Sequence, residues 1–200
     1  MTLAAIDRPL RKNAFETILA RRSVRSYAPE PLDRNTIQSL LEAAVRAPTA
    51  MHEEPWAFVV VQDHALLQRL SDLAKPIFVE EVRHRNTHGS NHSFDHFTRP
   101  DFNVFHGADT LIVICAKPSS QFVAADCWLA AENLMLAATA VGLGSCVIGS
   151  AVAALNIHKV KAELGIPDDY SAIAPIVVGI PNGETKATSR KEPKILLWKK

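Results

Sequence analysis

The sequence predicts an α+β domain: a mixed central β-sheet flanked by helices. Helical and strand-like segments intermix without strict alternation, no internal repeat is present, and no linker composition divides the 200 residues. A hydrophobic content of 48% with 8 Gly and 12 Pro leaves material for one sizeable core and little for a tail, so residues 1–200 read as one domain. Twenty-two Lys and Arg against 21 Asp and Glu give a formal charge of +1, too balanced for attraction to nucleic acid or an anionic membrane. The longest apolar stretch, residues 124–155, contains Asp126, Glu132 and Asn133, which would be costly in hydrocarbon. Asp7 and Arg8 interrupt the apolar patch of Met1 to Leu10, which lacks the order of a secretory signal, so a cytoplasmic location is expected. Cys115, Cys127 and Cys146 are odd in number, widely spaced and set among apolar neighbours, and read as small core residues.

In order along the chain, Asn13 can cap a first helix, with Phe15, Ile18 and Leu19 at helical spacing, that ends near Arg22. Asp33 caps a second helix whose apolar face is Ile37, Leu40, Leu41, Ala44 and Val45 and which Pro48 stops. Trp56 to Val61 is a strand suited to burial on both faces, and Asp63 caps a short helix through Leu73. Lys75 to His106, rich in His, Asn, Arg and Ser with scattered Phe, has no sustained period and reads as a variable lid or excursion. Thr110 to Ala116 is a strand, Phe122 to Ala140 a central helix broken by Gly142 and Gly144, and Ser145 to Ile148 a short strand. A helix from about Ala153 to Leu164 and a strand from Ile173 to Ile180 complete the core. Residues 185–200 form an arm whose apolar end, Ile195, Leu196, Leu197 and Trp198, must dock elsewhere.

Arg21, Arg22, Ser23 and Arg25 place three guanidinium groups and a hydroxyl in one short segment, which can grip phosphate oxygens or can be a solvated helix C-terminus favoured by the dipole. Ala47 to Trp56 joins helix to strand through a stiff loop bearing two prolines. Gly142 to Ser150 offers glycines where backbone can approach a ligand closely. Its G-x-G ends a helix instead of opening one, so it is no dinucleotide fingerprint.

Arg21 to Tyr27, the Ala47 to Trp56 loop, the block from Ala131 to Gly149, and the late Gly179-x-Pro181 with Arg190 and Lys191 together resemble the nitroreductase family, in order and over nearly the whole chain. The resemblance implies a domain-swapped homodimer with crossing C-terminal arms and one flavin mononucleotide (FMN) held non-covalently at each interface. By motif position, Arg21, Arg22, Ser23 and Arg25 look like ligands for phosphate, ribityl and pyrimidine edge, with Arg21 expected at the edge. Arg190 and Lys191 look like a basic pair closing on the phosphate. Pro48, Thr49 and Ala50 resemble the loop reaching the cofactor from the other subunit, and Ile148 and Gly149 the turn facing the flavin's reactive nitrogen. An Arg beside the pyrimidine favours the anionic reduced form.

The same loop departs from the family, which usually reads small-Gly-Asn-x-Gln before Pro-Trp: His52 replaces the Asn and Glu54 the Gln. Glu54 then loses two amide donors and needs a basic partner such as Arg22 or Arg25, unless the loop works through its backbone. His52 becomes a candidate proton donor, the catalysis otherwise being centred on the flavin. His84, His88, His92 and His96 recur every four residues, but Gly89, Ser90 and Asn91 argue against one helix presenting them to a metal, and no metal is expected. The leading function is an FMN-dependent oxidoreductase passing hydride from NAD(P)H to an electron-poor nitroaromatic or quinone by ping-pong exchange. A flavin-binding redox sensor or store, and a metal-dependent hydrolase built on the histidines, are the other readings.

Overall fold

The structure, a computed structural model, describes residues 13–85 and 97–200. Helix α1 (Ala14–Ala20) opens with a capping box: the Asn13 side chain accepts from the Glu16 N–H and Glu16 Oε2 accepts from the Asn13 N–H, both at 2.9 Å. Helix α2 (Arg34–Ala44) is capped by Asp33, which accepts from the Thr36 N–H at 2.9 Å and the Thr36 hydroxyl at 2.7 Å. Strand β1 (Trp56–Val61), helix α3 (His64–Arg85), strand β2 (Leu111–Ala116), helix α4 (Val123–Ala140) and strand β3 (Gly144–Val147) follow. A 3-10 turn (Gly149–Ala151), helices α5 (Val152–Leu155) and α6 (His158–Glu163) and strand β4 (Ser171–Gly179) complete the order.

The four strands lie in the order β1-β2-β4-β3 and every pairing is antiparallel, which corrects the expectation of a mixed sheet. Continuous apolar runs mark strands buried on both faces, and helices on both sides of the antiparallel sheet supply that burial to β2 and β4. Strand β1 lies at the edge and is only half-buried, with Val60 39% exposed, so the double burial expected of Trp56 to Val61 does not hold. Strand β2 divides its side chains accordingly. Leu111, Val113 and Cys115 enter the core shared with α3 and α5, while Ile112, Ile114 and Ala116 enter the core shared with α2 and α4. Among the described residues no helix is long and apolar enough to cross a membrane.

Three further expectations change. Helix α3 continues past Leu73, through Pro76, to Arg85, so the first third of the expected excursion is helical. Residues 102–105 fasten to its flank: the Val104 N–H donates to Ser71 Oγ at 3.0 Å and Lys75 Nζ donates to the Phe102 carbonyl at 3.1 Å. The helix expected over Ala153 to Leu164 divides at Asn156, whose side chain bonds the carbonyls of Val152 and Ala172 and the N–H of Ala172, all at 2.9 Å. That side chain replaces the helical bonds lost at the break. The apolar positions of α1 do not enter this chain's core: Phe15 is 80% and Leu19 74% exposed.

Candidate functional site

The site begins with two glycines. A Cβ on Gly144 would stand 2.7 to 2.9 Å from three Val24 carbons, and one on Gly179 would stand 3.0 Å from the Tyr27 ring. Their bareness lets residues 21–27 lie close against β3 and the end of β4. The Val24 N–H donates to the Ser145 carbonyl at 3.0 Å, the Ala28 N–H to Ile180 at 2.9 Å, and the Tyr27 hydroxyl to the Val24 carbonyl at 2.7 Å. Burial pushes the Tyr27 phenol well above its ordinary range, so it stays a neutral donor.

In this segment Val24 and Tyr27 are buried against the strands, while Ser23 and Arg25 are exposed and Arg21 and Arg22 are half-buried. Arg22 and Val24 line a cleft of about 200 Å³ with Thr139, Leu143 and Pro181. Arg25 lines a different pocket, of about 430 Å³, in which Val147, Ile148, Gly149 and Ser150 form one wall. The Ile148 N–H donates to the Pro175 carbonyl of β4 at 2.9 Å, which fixes this turn to the centre of the sheet. A Cβ on Gly149 would meet nothing within 4 Å, so the pocket is open there.

The opposite wall is aromatic. Phe78 from α3 lies 4.7 Å from Phe97, Phe97 lies 4.9 Å from Phe102, and Phe102 lies 6.0 Å from His106, ring centre to ring centre. His106 has a left-handed φ of 56° and precedes Gly107 at 70°, a turn that sets its imidazole at the pocket. Sequence reasoning missed this wall. Its signal was present: Leu67, Leu70, Ala74, Ile77 and Phe78 keep helical spacing across Pro76. Cys146 also lines the pocket, near Ser23 and Arg25, yet burial outweighs both and raises its thiol pKa.

Arg25, Ile148 and Gly149 are thus brought together. Arg21 takes another partner, its Nε donating to Glu132 Oε1 of α4 at 3.1 Å. Arg22 folds onto the carbonyls of Leu19 and Arg21. Arg190 bonds Thr188, Lys191 is exposed, and neither lines the pocket. Pro48, Thr49, Ala50 and His52 stand apart from it as well. There the Ala50 N–H donates to the Asp126 carboxylate at 3.2 Å, and Glu53 accepts from the hydroxyls of Ser119 and Ser120. Met51, His52 and Glu54 all have positive φ, at 56°, 55° and 44°. Met51 occupies the glycine position of the family pattern. Among the described residues Glu54 forms no ion pair, so neither Arg22 nor Arg25 is its partner. His84 pairs with Glu80 at 3.1 Å; His88, His92 and His96 lie outside the described residues.

The architecture and the pocket define an α+β protein with a ligand cleft between a glycine-bearing turn and an aromatic wall. The chain belongs to the nitroreductase family, whose family model matches residues 18–180. A solved nitroreductase with bound FMN from Bacteroides fragilis superposes with a TM-score of 0.79 at 27% identity, over 94% of this chain and 100% of that one. An NADH dehydrogenase of Thermus thermophilus is 27% identical, covering 94% of this chain and 96% of its own length. An iodotyrosine deiodinase of Thermotoga neapolitana is 26% identical, covering 90% and 95%.

Proposed function

We propose that this protein binds FMN and transfers electrons, as hydride, from a nicotinamide donor to an electron-poor small molecule. The observation that carries the reading is the pocket that Arg25 shares with the Ile148–Gly149 turn, with Ser23 and Arg21 two and four residues before it in the chain. Four residues of extended chain reach about 13 Å, so Arg21, Ser23 and Arg25 could serve a phosphate, a ribityl chain and a ring edge in turn. The donor set fits: two permanent cations and a hydroxyl, with open space at Gly149 for a flat ring. In this reading Arg25, not Arg21, stands at the pyrimidine edge, because Arg25 shares the pocket with Ile148 and Gly149. One cationic end suits one terminal phosphate, hence the mononucleotide.

When bound, FMN supplies the acceptance and donation of hydride. The chain's residues would hold and polarise it: Arg25 would favour negative charge on the ring edge, and the first N–H groups of the turn opening at Gly149, which lack partners within that turn, would be available to it. The aromatic wall holds a flat substrate and excludes water. With no dinucleotide motif, the nicotinamide donor and the acceptor bind the same pocket alternately, which gives ping-pong exchange.

The exposed Phe15, Ile18, Leu19, Trp128, Leu129 and Ile195 to Trp198 support a homodimer, since a second copy is the simplest cover for so much apolar surface. That copy would also bring the Pro48–His52 loop and Arg190 and Lys191 toward the flavin. Three buried free cysteines agree with the reducing cytoplasm.

The test is the ligand released on denaturation, identified by mass spectrometry, followed by oxidation of NADH or NADPH with a quinone or nitroaromatic acceptor. FMN and turnover are expected; the adenine dinucleotide, or no flavin after reconstitution, overturns the reading. FMN without turnover makes the protein a redox store. Arg25→Ala should lower the flavin's reduction potential, since such charge-assisted bonds are worth about 1.5 to 3 kcal/mol.

A further inference from the structure

We infer that Glu132 is a positioning residue for flavin binding: it takes the Nε–H of Arg21 and leaves that guanidinium's terminal amino groups to the FMN phosphate. The inference rests on the reading above. A carboxylate beside a phosphate site repels the ligand, so its presence calls for a compensating role. Glu132 meets Arg21 through Nε at 3.1 Å, and a guanidinium so engaged still has both terminal nitrogens for a forked grip on an anion.

Both ends of the contact are fixed. The Arg21 N–H donates to the Thr17 carbonyl at 2.9 Å, closing α1. Next to Glu132, Asn133 Nδ2 donates to the Ala43 carbonyl at 3.2 Å, tying α4 to α2. Arg22 cannot substitute, because its guanidinium is turned onto backbone carbonyls. The Arg21 and Glu132 side chains are 26% and 46% exposed, and an ion pair that open to water contributes little to folding. Orientation of the guanidinium is therefore the effect a substitution should reveal.

The experiment compares FMN with riboflavin, which lacks the phosphate, by flavin fluorescence titration of the flavin-stripped full chain, with thermal midpoints recorded in parallel. Glu132→Ala should weaken FMN binding about fivefold to tenfold, in the range of ordinary couplings between contacting residues, and leave riboflavin binding unchanged. Glu132→Gln, whose amide oxygen still accepts from Nε, should restore most of the loss. In an Arg21→Ala background, Glu132→Ala should weaken FMN binding no further and, with the carboxylate's repulsion removed, should tighten it. FMN affinity that is unchanged or tighter in Glu132→Ala overturns the inference, as does equal weakening for both flavins or a loss that tracks a fallen thermal midpoint. If Arg21→Ala weakens FMN but not riboflavin while Glu132→Ala does neither, the positioning role fails and the phosphate assignment stands. If Arg21→Ala does not discriminate the two flavins, the phosphate assignment fails with it.

Discussion

Gly144→Ala tests the seating of the basic segment directly. The new methyl carbon would lie 2.7, 2.8 and 2.9 Å from Val24 Cγ2, Cβ and Cγ1, whereas carbon contacts settle near ~3.5 to 4.0 Å. Val24 must therefore retreat by about 1 Å, although it is 6% exposed and its N–H is bonded to the Ser145 carbonyl at 3.0 Å. Overpacking of this kind costs about 1 to 3 kcal/mol, and the stiffer unfolded chain returns roughly 0.4 to 1 kcal/mol. A net loss of about 1 to 2 kcal/mol corresponds to roughly 2 to 8 °C in Tm for a chain of this size. The displacement carries Ser23 and Arg25 with it, so FMN affinity should fall as well. Gly149→Ala is the contrast: its Cβ meets nothing within 4 Å, so Tm should hold while the pocket is crowded. Differential scanning calorimetry and flavin titration give both readouts. A Gly144→Ala protein with unchanged Tm and affinity would refute the argument that this glycine admits the segment.

Three more expectations follow from the geometry. Burial pushes the Cys115 thiol up to about 11 and, with Asp126 adding to it, the Cys127 thiol up to about 12, so iodoacetamide at about pH 8 should label neither until the chain is denatured. Labelling of the native protein at the rate of a free thiol would contradict their burial. The Thr36 hydroxyl and N–H hold Asp33 below the usual carboxylate range, so its cap stabilises the fold above that range and is lost as pH falls through the depressed value. Asp33→Asn should flatten this part of the pH dependence in urea midpoints; an unchanged acid limb would assign it elsewhere. A chain cut after Lys194 loses Ile195 to Trp198, 61 to 86% exposed here, and should scatter light as a monomer with weakened FMN binding. A truncated dimer that keeps its flavin would contradict the docking role of the arm.

Local signals were legible where they follow one physical rule each. The caps Asn13 and Asp33, the apolar face of α2 and the run of β2 all depend on short-range spacing and form where the sequence places them, except that Val45 falls past the end of α2 and is exposed. What escaped depends on neighbours distant in sequence. The polar composition after Lys75 hides the period, yet α3 continues through Pro76 because Ile77 and Phe78 beyond it are half-buried against the core and the aromatic wall. Strand direction is likewise invisible in an apolar run, since double burial marks parallel and antiparallel strands alike once helices cover both faces.

The site shows the same division. The basic cluster of Arg21, Arg22 and Arg25 around Ser23 could be read from the sequence; which arginine meets the pocket could not. That choice depends on the chain leaving α1 in extended form at Arg21, with φ −57° and ψ 135°, and on Gly144 admitting Val24. Those two facts turn Arg25 to the pocket and leave Arg21 to Glu132. The loop at Met51 adds a converse case, in which non-glycine residues hold backbone conformations that favour glycine. Three non-glycine residues there take left-handed conformations that cost roughly 1 to 2 kcal/mol each. The strain persists because both flanks are anchored, Ala50 to Asp126 and Glu53 to Ser119 and Ser120. Anchoring from outside replaces the freedom a glycine would have supplied, and it carries His52 on a fixed course at the surface, where the proposed second subunit would meet it.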